Sequence, residues 1–157
     1  MPRVTSFFEI ESEFVARVHT MVWCNMATLD TKNRLRSRIV HPIWESAVGW
    51  ASARPHSLKA MHLLHNPHVS LAYISDIAKP IYVVCTAEWE EDRAKKRHVW
   101  DLFLTTAPPA GFDLGNIFKG LDDPEFGVLK FTPWRIELFD ISNVANRKVW
   151  LAQATTA

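Results

Sequence analysis

The sequence predicts a mainly β domain: a small closed antiparallel barrel with a few helices against its outside. Three observations predict it. Runs rich in β-branched and aromatic residues outnumber helical ones, and the helical runs fall singly between groups of strands. The connections are too short and too strand-rich for repeated βαβ units. The 157 residues suit one domain, 1–157, with a single sizeable core, and no repeat, linker or low-complexity stretch divides them.

The elements follow in order. The stretch 7–19 has apolar residues at 7, 8, 10, 14, 15 and 18, close to helical spacing, and makes 1–20 an N-terminal helical segment. From Val22 to Trp44 the chain reads as two strands around a polar turn, Asp30–Arg34. In the second of these, Arg36 and Arg38 share one face while Ser37, Ile39 and His41 take the other. Pro42 then ends regular pairing or marks an edge. Residues 47–53 form a short strand. Residues 56–66 form a helix, with Ser57 a good N-cap and Asn66-Pro67 a stop. Strands follow at 68–75 and 80–90, then an amphipathic helix at 92–107. A long loop with three prolines and three glycines leads to 127–142, a strand pair or one long bent strand. A final strand over 146–152 lies in the C-terminal strand and tail, 143–157.

Composition removes several function classes. A net charge of +1 argues against a nucleic-acid or anionic-membrane binder, which needs a clustered positive excess. No apolar run approaches the roughly 20 residues that span a bilayer. The N-terminal "MPRVTSFFEIESEF" is charged where a signal peptide needs an apolar core, which implies a cytoplasmic protein. Cys24 and Cys85 lie far apart in apolar surroundings and read as two buried thiols.

The densest patch of candidate chemistry is "HSLKAMHLLHNPHVSLAY", residues 56–73. His62 and His65 share a helix face, but His68 lies beyond Pro67 and no cysteine or aspartate pattern completes a metal site. No metal is expected; these histidines read as exposed or subunit-contacting. Lys59 is the better clue. It stands in the first turn of a helix, where unpaired N–H groups and the dipole favour an anion. Ser57 offers a hydroxyl, and Arg36, Arg38 and Arg54 come from neighbouring segments. That set describes a phosphate site. The competing reading is of ordinary surface arginines and a solvated lysine.

The "R-x-V-H-P-x-W" run at 38–44 and the "S-x-K-x-x-x-L-x-x-N-P-x-V-S-L" unit at 57–71 stand in an order and at a spacing that resemble the pyridoxamine 5'-phosphate oxidase-like family, the FMN-binding split barrels. The resemblance runs over roughly residues 20–140. It implies a six-stranded antiparallel split barrel that forms a homodimer with two flavin sites at the interface. It implies that Arg38 and Lys59 contact the cofactor phosphate with help from Ser57. Val40 and His41 would run alongside the flavin ring, and Ser52 and Ala53 would close over the ribityl chain. A second subunit would contribute Lys79, Trp134 and Arg135. The sequence departs from the oxidases: Leu58 stands where they carry arginine, Pro80 where they carry glutamine, and their C-terminal Arg-x-His is absent.

The resemblance therefore implies an FMN- or deazaflavin-dependent oxidoreductase acting on a small molecule, and not a true pyridoxamine phosphate oxidase. FMN is the expected cofactor, with coenzyme F-420, FAD and haem as alternatives. The alternative function is a protein that binds or senses FMN or haem without turnover. Trp44, Tyr82 and Trp134 are candidates to shape a substrate pocket, and His41 a candidate proton donor.

Overall fold

The computed structural model describes residues 3–153. In chain order they form β1 (Arg3–Val4), α1 (Phe8–Met21), β2 (Cys24–Leu29), β3 (Leu35–Val40), β4 (Ile43–Glu45) and β5 (Val48–Ala53). Then come α2 (Leu58–His65), β6 (His68–Tyr73), β7 (Ile81–Trp89), α3 (Arg93–Thr105), β8 (Gly127–Leu138) and β9 (Lys148–Leu151). The last residues of the expected C-terminal tail, 154–157, lie outside the described residues.

The strands make one mixed sheet, not a closed six-stranded barrel. Its path runs β1-β9-β8-β7-β6-β2-β3, with β5 paired to both β4 and β8. Three short strands account for the excess over six. β1 pairs parallel to β9, and β4 forms a tight hairpin with β5. The sheet stays open because β8 changes partners along its length. Its first half pairs β5 (Gly49 opposite Phe131) and its second half pairs β9 (Arg135 opposite Leu151).

The change of partner has a local cause. Pro133 has no N–H to give a ladder. Beside it Val84 faces Arg135 while Cys85 faces Pro133, so Trp134 is the extra residue of a bulge. The expected strand over 127–142 is thus one bent strand ending at Leu138.

Side-chain alternation divides the sheet into two faces. The inward face carries Met26, Leu71, Val83, Phe131 and Ile136, and α1 lays Ile10, Phe14 and Val18 against it in one cluster with Trp44 and Tyr73. Helix α1 starts at Phe8 because the Glu9 carboxylate accepts from the backbone N–H of Thr5 (2.8 Å) and Ser6 (2.9 Å). A second cluster joins Val99 and Phe103 of α3 to Ile43, Trp50, Phe118 and Phe126. The segment expected as a plain loop therefore carries core residues, because its phenylalanines close that cluster. Elsewhere the outward face is open at Ile39, Tyr82 and Trp134, which are 62%, 37% and 46% exposed. Among the described residues no helix is long and apolar enough to cross a membrane.

Both thiols are buried and free. Burial pushes the Cys24 thiol up to about 12, so it stays protonated.

Candidate functional site

The site forms where α2 packs on β2 and β3. The β2–β3 hairpin sets Thr28 opposite Arg36 and Met26 opposite Arg38, so Thr28 and Arg38 share the inward face. The turn is fixed by Asp30, whose carboxylate accepts from Lys32 N–H (2.9 Å), Arg34 N–H (3.0 Å) and Arg34 Nε (2.9 Å). These contacts, led by the Arg34 backbone N–H, hold its carboxyl well below the usual carboxylate range.

Arg38 reaches under α2. Its Nη2 donates to Thr28 Oγ1 at 3.1 Å and to His62 Nδ1 at 3.0 Å. Thr28 Oγ1 and His62 Nδ1 are themselves 3.0 Å apart. Arginine has no acceptor, so Nδ1 must keep its lone pair and the ring proton sits on Nε2. Burial first, then the charges of Arg38 and Arg36, lower the pKa of His62 and keep it neutral. The expectation of an exposed His62 is corrected: it is 4% exposed and braces an arginine. His65 does lie at the surface, 2.9 Å from Asn33 Oδ1, and His68 is exposed.

With Nη2 engaged, Arg38 Nη1 is buried with no partner, and so is the hydroxyl of Ser57. Ser57 has the extended backbone of an N-cap, yet its hydroxyl caps nothing. Lys59, one turn before His62 on the same face, is half-buried. Burial and then the positive charge of Arg38 push its ammonium below the ordinary value. Arg38 and Lys59 are thus neighbouring cations that repel each other, and Arg38 Nη1 and Ser57 Oγ are buried without partners. A buried donor left unpaired costs about 1–3 kcal/mol. A phosphate dianion removes both penalties, so these residues fit the phosphate of a flavin nucleotide.

The other expected members divide. Val40 is buried at the end of β3. His41 follows it, and its Nε2 donates to Ala110 O at 2.7 Å. Ser52 and Ala53 stand on β5, and a three-residue link carries the chain from Ala53 to Ser57. Arg54 turns away to Glu125 at 2.9 Å, and Arg36 faces Asp30 at 3.9 Å. Trp44 is a core residue and not a pocket wall: it is 2% exposed and its Nε1 donates to Tyr73 OH at 2.9 Å.

Lys79, Trp134 and Arg135 do not join the cluster within one chain. Lys79 lies in the exposed loop before β7, where its carbonyl accepts from Arg17. Arg135 is paired with Glu137 at 2.8 Å. Along the ladder Arg135 meets Val84, Val84 meets Ser70, Ser70 meets Ala27 and Ala27 meets Ser37. Four strand spacings, about 19 Å along the sheet, separate it from the strand of Arg38.

No protein-family model matches the sequence, and no curated protein matches it. Solved structures do. A general stress protein 26-related protein of the pyridoxinephosphate oxidase family from Clostridium acetobutylicum superposes with a TM-score of 0.68 at 18% identity, covering 91% of this chain and 94% of that one. A pyridoxamine 5'-phosphate oxidase-related, FMN-binding protein from Nostoc punctiforme gives 0.68 at 10% identity, covering 94% and 93%. A heme-binding protein from Mycobacterium smegmatis gives 0.63 at 16% identity, covering 86% of this chain and 54% of that one. These likenesses show that the chain has the fold of the pyridoxamine 5'-phosphate oxidase-like proteins.

Proposed function

We propose that this chain is an oxidoreductase that uses FMN, or a deazaflavin such as coenzyme F-420, on a small molecule, and that it is not a pyridoxamine phosphate oxidase. One observation carries the reading: Arg38 Nη1 is a buried donor without an acceptor, and the charge of Arg38 bears on the half-buried ammonium of Lys59. When bound, the flavin supplies hydride transfer at its ring. The chain supplies the rest. Arg38, oriented by Thr28 and His62, and Lys59 with Ser57 hold the phosphate. The backbone of Val40 and His41 lies beside the ring, and Ser52 and Ala53 flank the ribityl chain.

The protein works as a homodimer in this reading. The outward face sets small residues, Ala27, Ser70 and Ala72, among exposed Ile39, Tyr82 and Trp134, a surface suited to a second copy. Lys79, Trp134 and Arg135, remote from the phosphate cluster of their own chain, reach the ring site of the other copy.

A second reading, binding or sensing of FMN or haem without turnover, draws support from the likeness to a heme-binding protein. The flavin reading is preferred because Arg38 Nη1 is a buried donor without an acceptor and the charge of Arg38 bears on the half-buried Lys59, a pairing that suits a phosphate. Titration of the purified protein with FMN, FAD, coenzyme F-420 and haem tests both. Tightest binding of FMN or F-420, with turnover by a quinone acceptor, supports the oxidoreductase. A Soret band with no flavin uptake supports the second reading, and no uptake of any of the four overturns both.

A further inference from the structure

A cavity of about 530 Å³ opens between the end of α1, the start of β2 and the segment after α3. That volume suits a small ligand. Its walls include Met21, Val22, Trp23, His41, Phe112 and Ile117. Two of these are exposed to an extent unusual for their type: Trp23 by 57% and Ile117 by 53%.

The backbone holds Trp23 there at a cost. Val22 has φ 67 and ψ −61, and Trp23 N–H donates to Met21 O at 2.8 Å across it. This is the rare γ-turn, strained for any L-residue and more so for a β-branched one. Strain of this kind gathers at functional sites. Its effect is to bring Trp23 onto the rim, 4.9 Å from the His41 ring. Phe112 stands 5.2 Å from the same ring and Phe103 5.8 Å.

The imidazole supplies direction. The Nε2 partner is a carbonyl, which only accepts, so Nε2 carries the proton. Burial lowers the pKa of His41 against the opposing pull of that hydrogen bond, so the ring is neutral at pH 7. Nδ1 therefore presents a lone pair, and no donor among the described residues reaches it. Thr20, the other polar side chain of the wall, already gives its hydroxyl proton to Ala16 O at 2.8 Å.

We infer that this cavity binds a flat, uncharged aromatic molecule carrying one O–H or N–H donor, stacked by Trp23 and Phe112 and hydrogen-bonded to His41 Nδ1. Its identification as the seat of the reacting partner rests on the oxidoreductase reading; the binding itself does not. In that seat His41 is an acceptor that orients the ligand, not a proton donor.

The test is calorimetric titration of the FMN-free protein, and again of the FMN-loaded protein, with 1-naphthol and with 1-methoxynaphthalene. The two have nearly the same shape, and only the first donates. 1-Naphthol should bind roughly five- to tenfold tighter, the margin of one net hydrogen bond. His41→Phe should remove that margin, and Trp23→Ala should weaken both ligands about tenfold or more. Equal affinities in the unmodified protein, no binding of either compound, or an unaffected Trp23→Ala variant would overturn the inference. Displacement of 1-naphthol by FMN would overturn it too, since the cavity would then be the cofactor's own seat. Naphthol binding with no FMN uptake would instead retain this site and defeat the flavin reading.

Discussion

Replacing Lys59 by methionine separates a binding lysine from a structural one, because the two make opposite predictions. Methionine keeps the apolar stem that packs along α2 and removes the charge. In the ligand-free protein that charge works against the fold: it is partly desolvated, it faces Arg38, and no carboxylate is among the groups that perturb it. The unfolding free energy of Lys59→Met, measured by urea denaturation, should therefore hold or rise. Cofactor binding should fall. One charge-assisted contact contributes about 1.5–3 kcal/mol, equivalent to a loss of roughly 10- to 150-fold in FMN affinity. Flavin fluorescence quenching reads that loss, which should shrink as salt screens the site. A variant that unfolds more easily yet binds FMN as before would refute the reasoning, since Lys59 would then be holding the protein together.

Four further outcomes follow from the same structure. His62 is held neutral in the fold and has an ordinary pKa near 6.5 when unfolded, so the unfolded chain takes up its proton first. Stability should therefore be full above pH 6.5 and decline as the pH falls below it; His62→Gln should flatten that part of the urea-midpoint profile. A Cβ on Gly111 would stand 1.8 Å from Thr106 O, so Gly111→Ala should lower the melting temperature and, by shifting Ala110 O, loosen His41. Trp44→Phe leaves the buried Tyr73 hydroxyl without its donor and should cost about 1–3 kcal/mol by urea denaturation. Ala72→Glu puts a charge on the outward face and should convert the proposed dimer to monomer in sedimentation, with loss of FMN binding; a variant that remains dimeric contradicts the proposed interface.

Much of the fold was legible in local chemistry. β6 and β7 alternate strictly, α2 stops at Asn66-Pro67, and the Asp30–Arg34 turn carries its own hydrogen bonds. The barrel's failure to close was not legible, because it depends on which strands share the two halves of β8, a long-range pairing that no local pattern encodes. In the site, Arg38 and Lys59 could be found as cations near a helix start. His62 was missed as the support of Arg38, although its three-residue spacing from Lys59 already places both on one face. Its burial could not be read, since a histidine looks the same in sequence whether it meets water or an arginine. Thr28 carried no signal beyond its place in a strand. The resemblance names Arg135 as a cofactor contact from a second subunit; within the chain Glu137, two residues later, pairs with it.

The affinity of the FMN-free protein for FMN against riboflavin bears most directly on the phosphate site. The two differ only in the group that Arg38, Ser57 and Lys59 are proposed to hold. With three donors relieved by one dianion, FMN should bind at least about 100-fold tighter than riboflavin. Equal affinities, or none for either, would mean that these donors serve something other than a flavin phosphate.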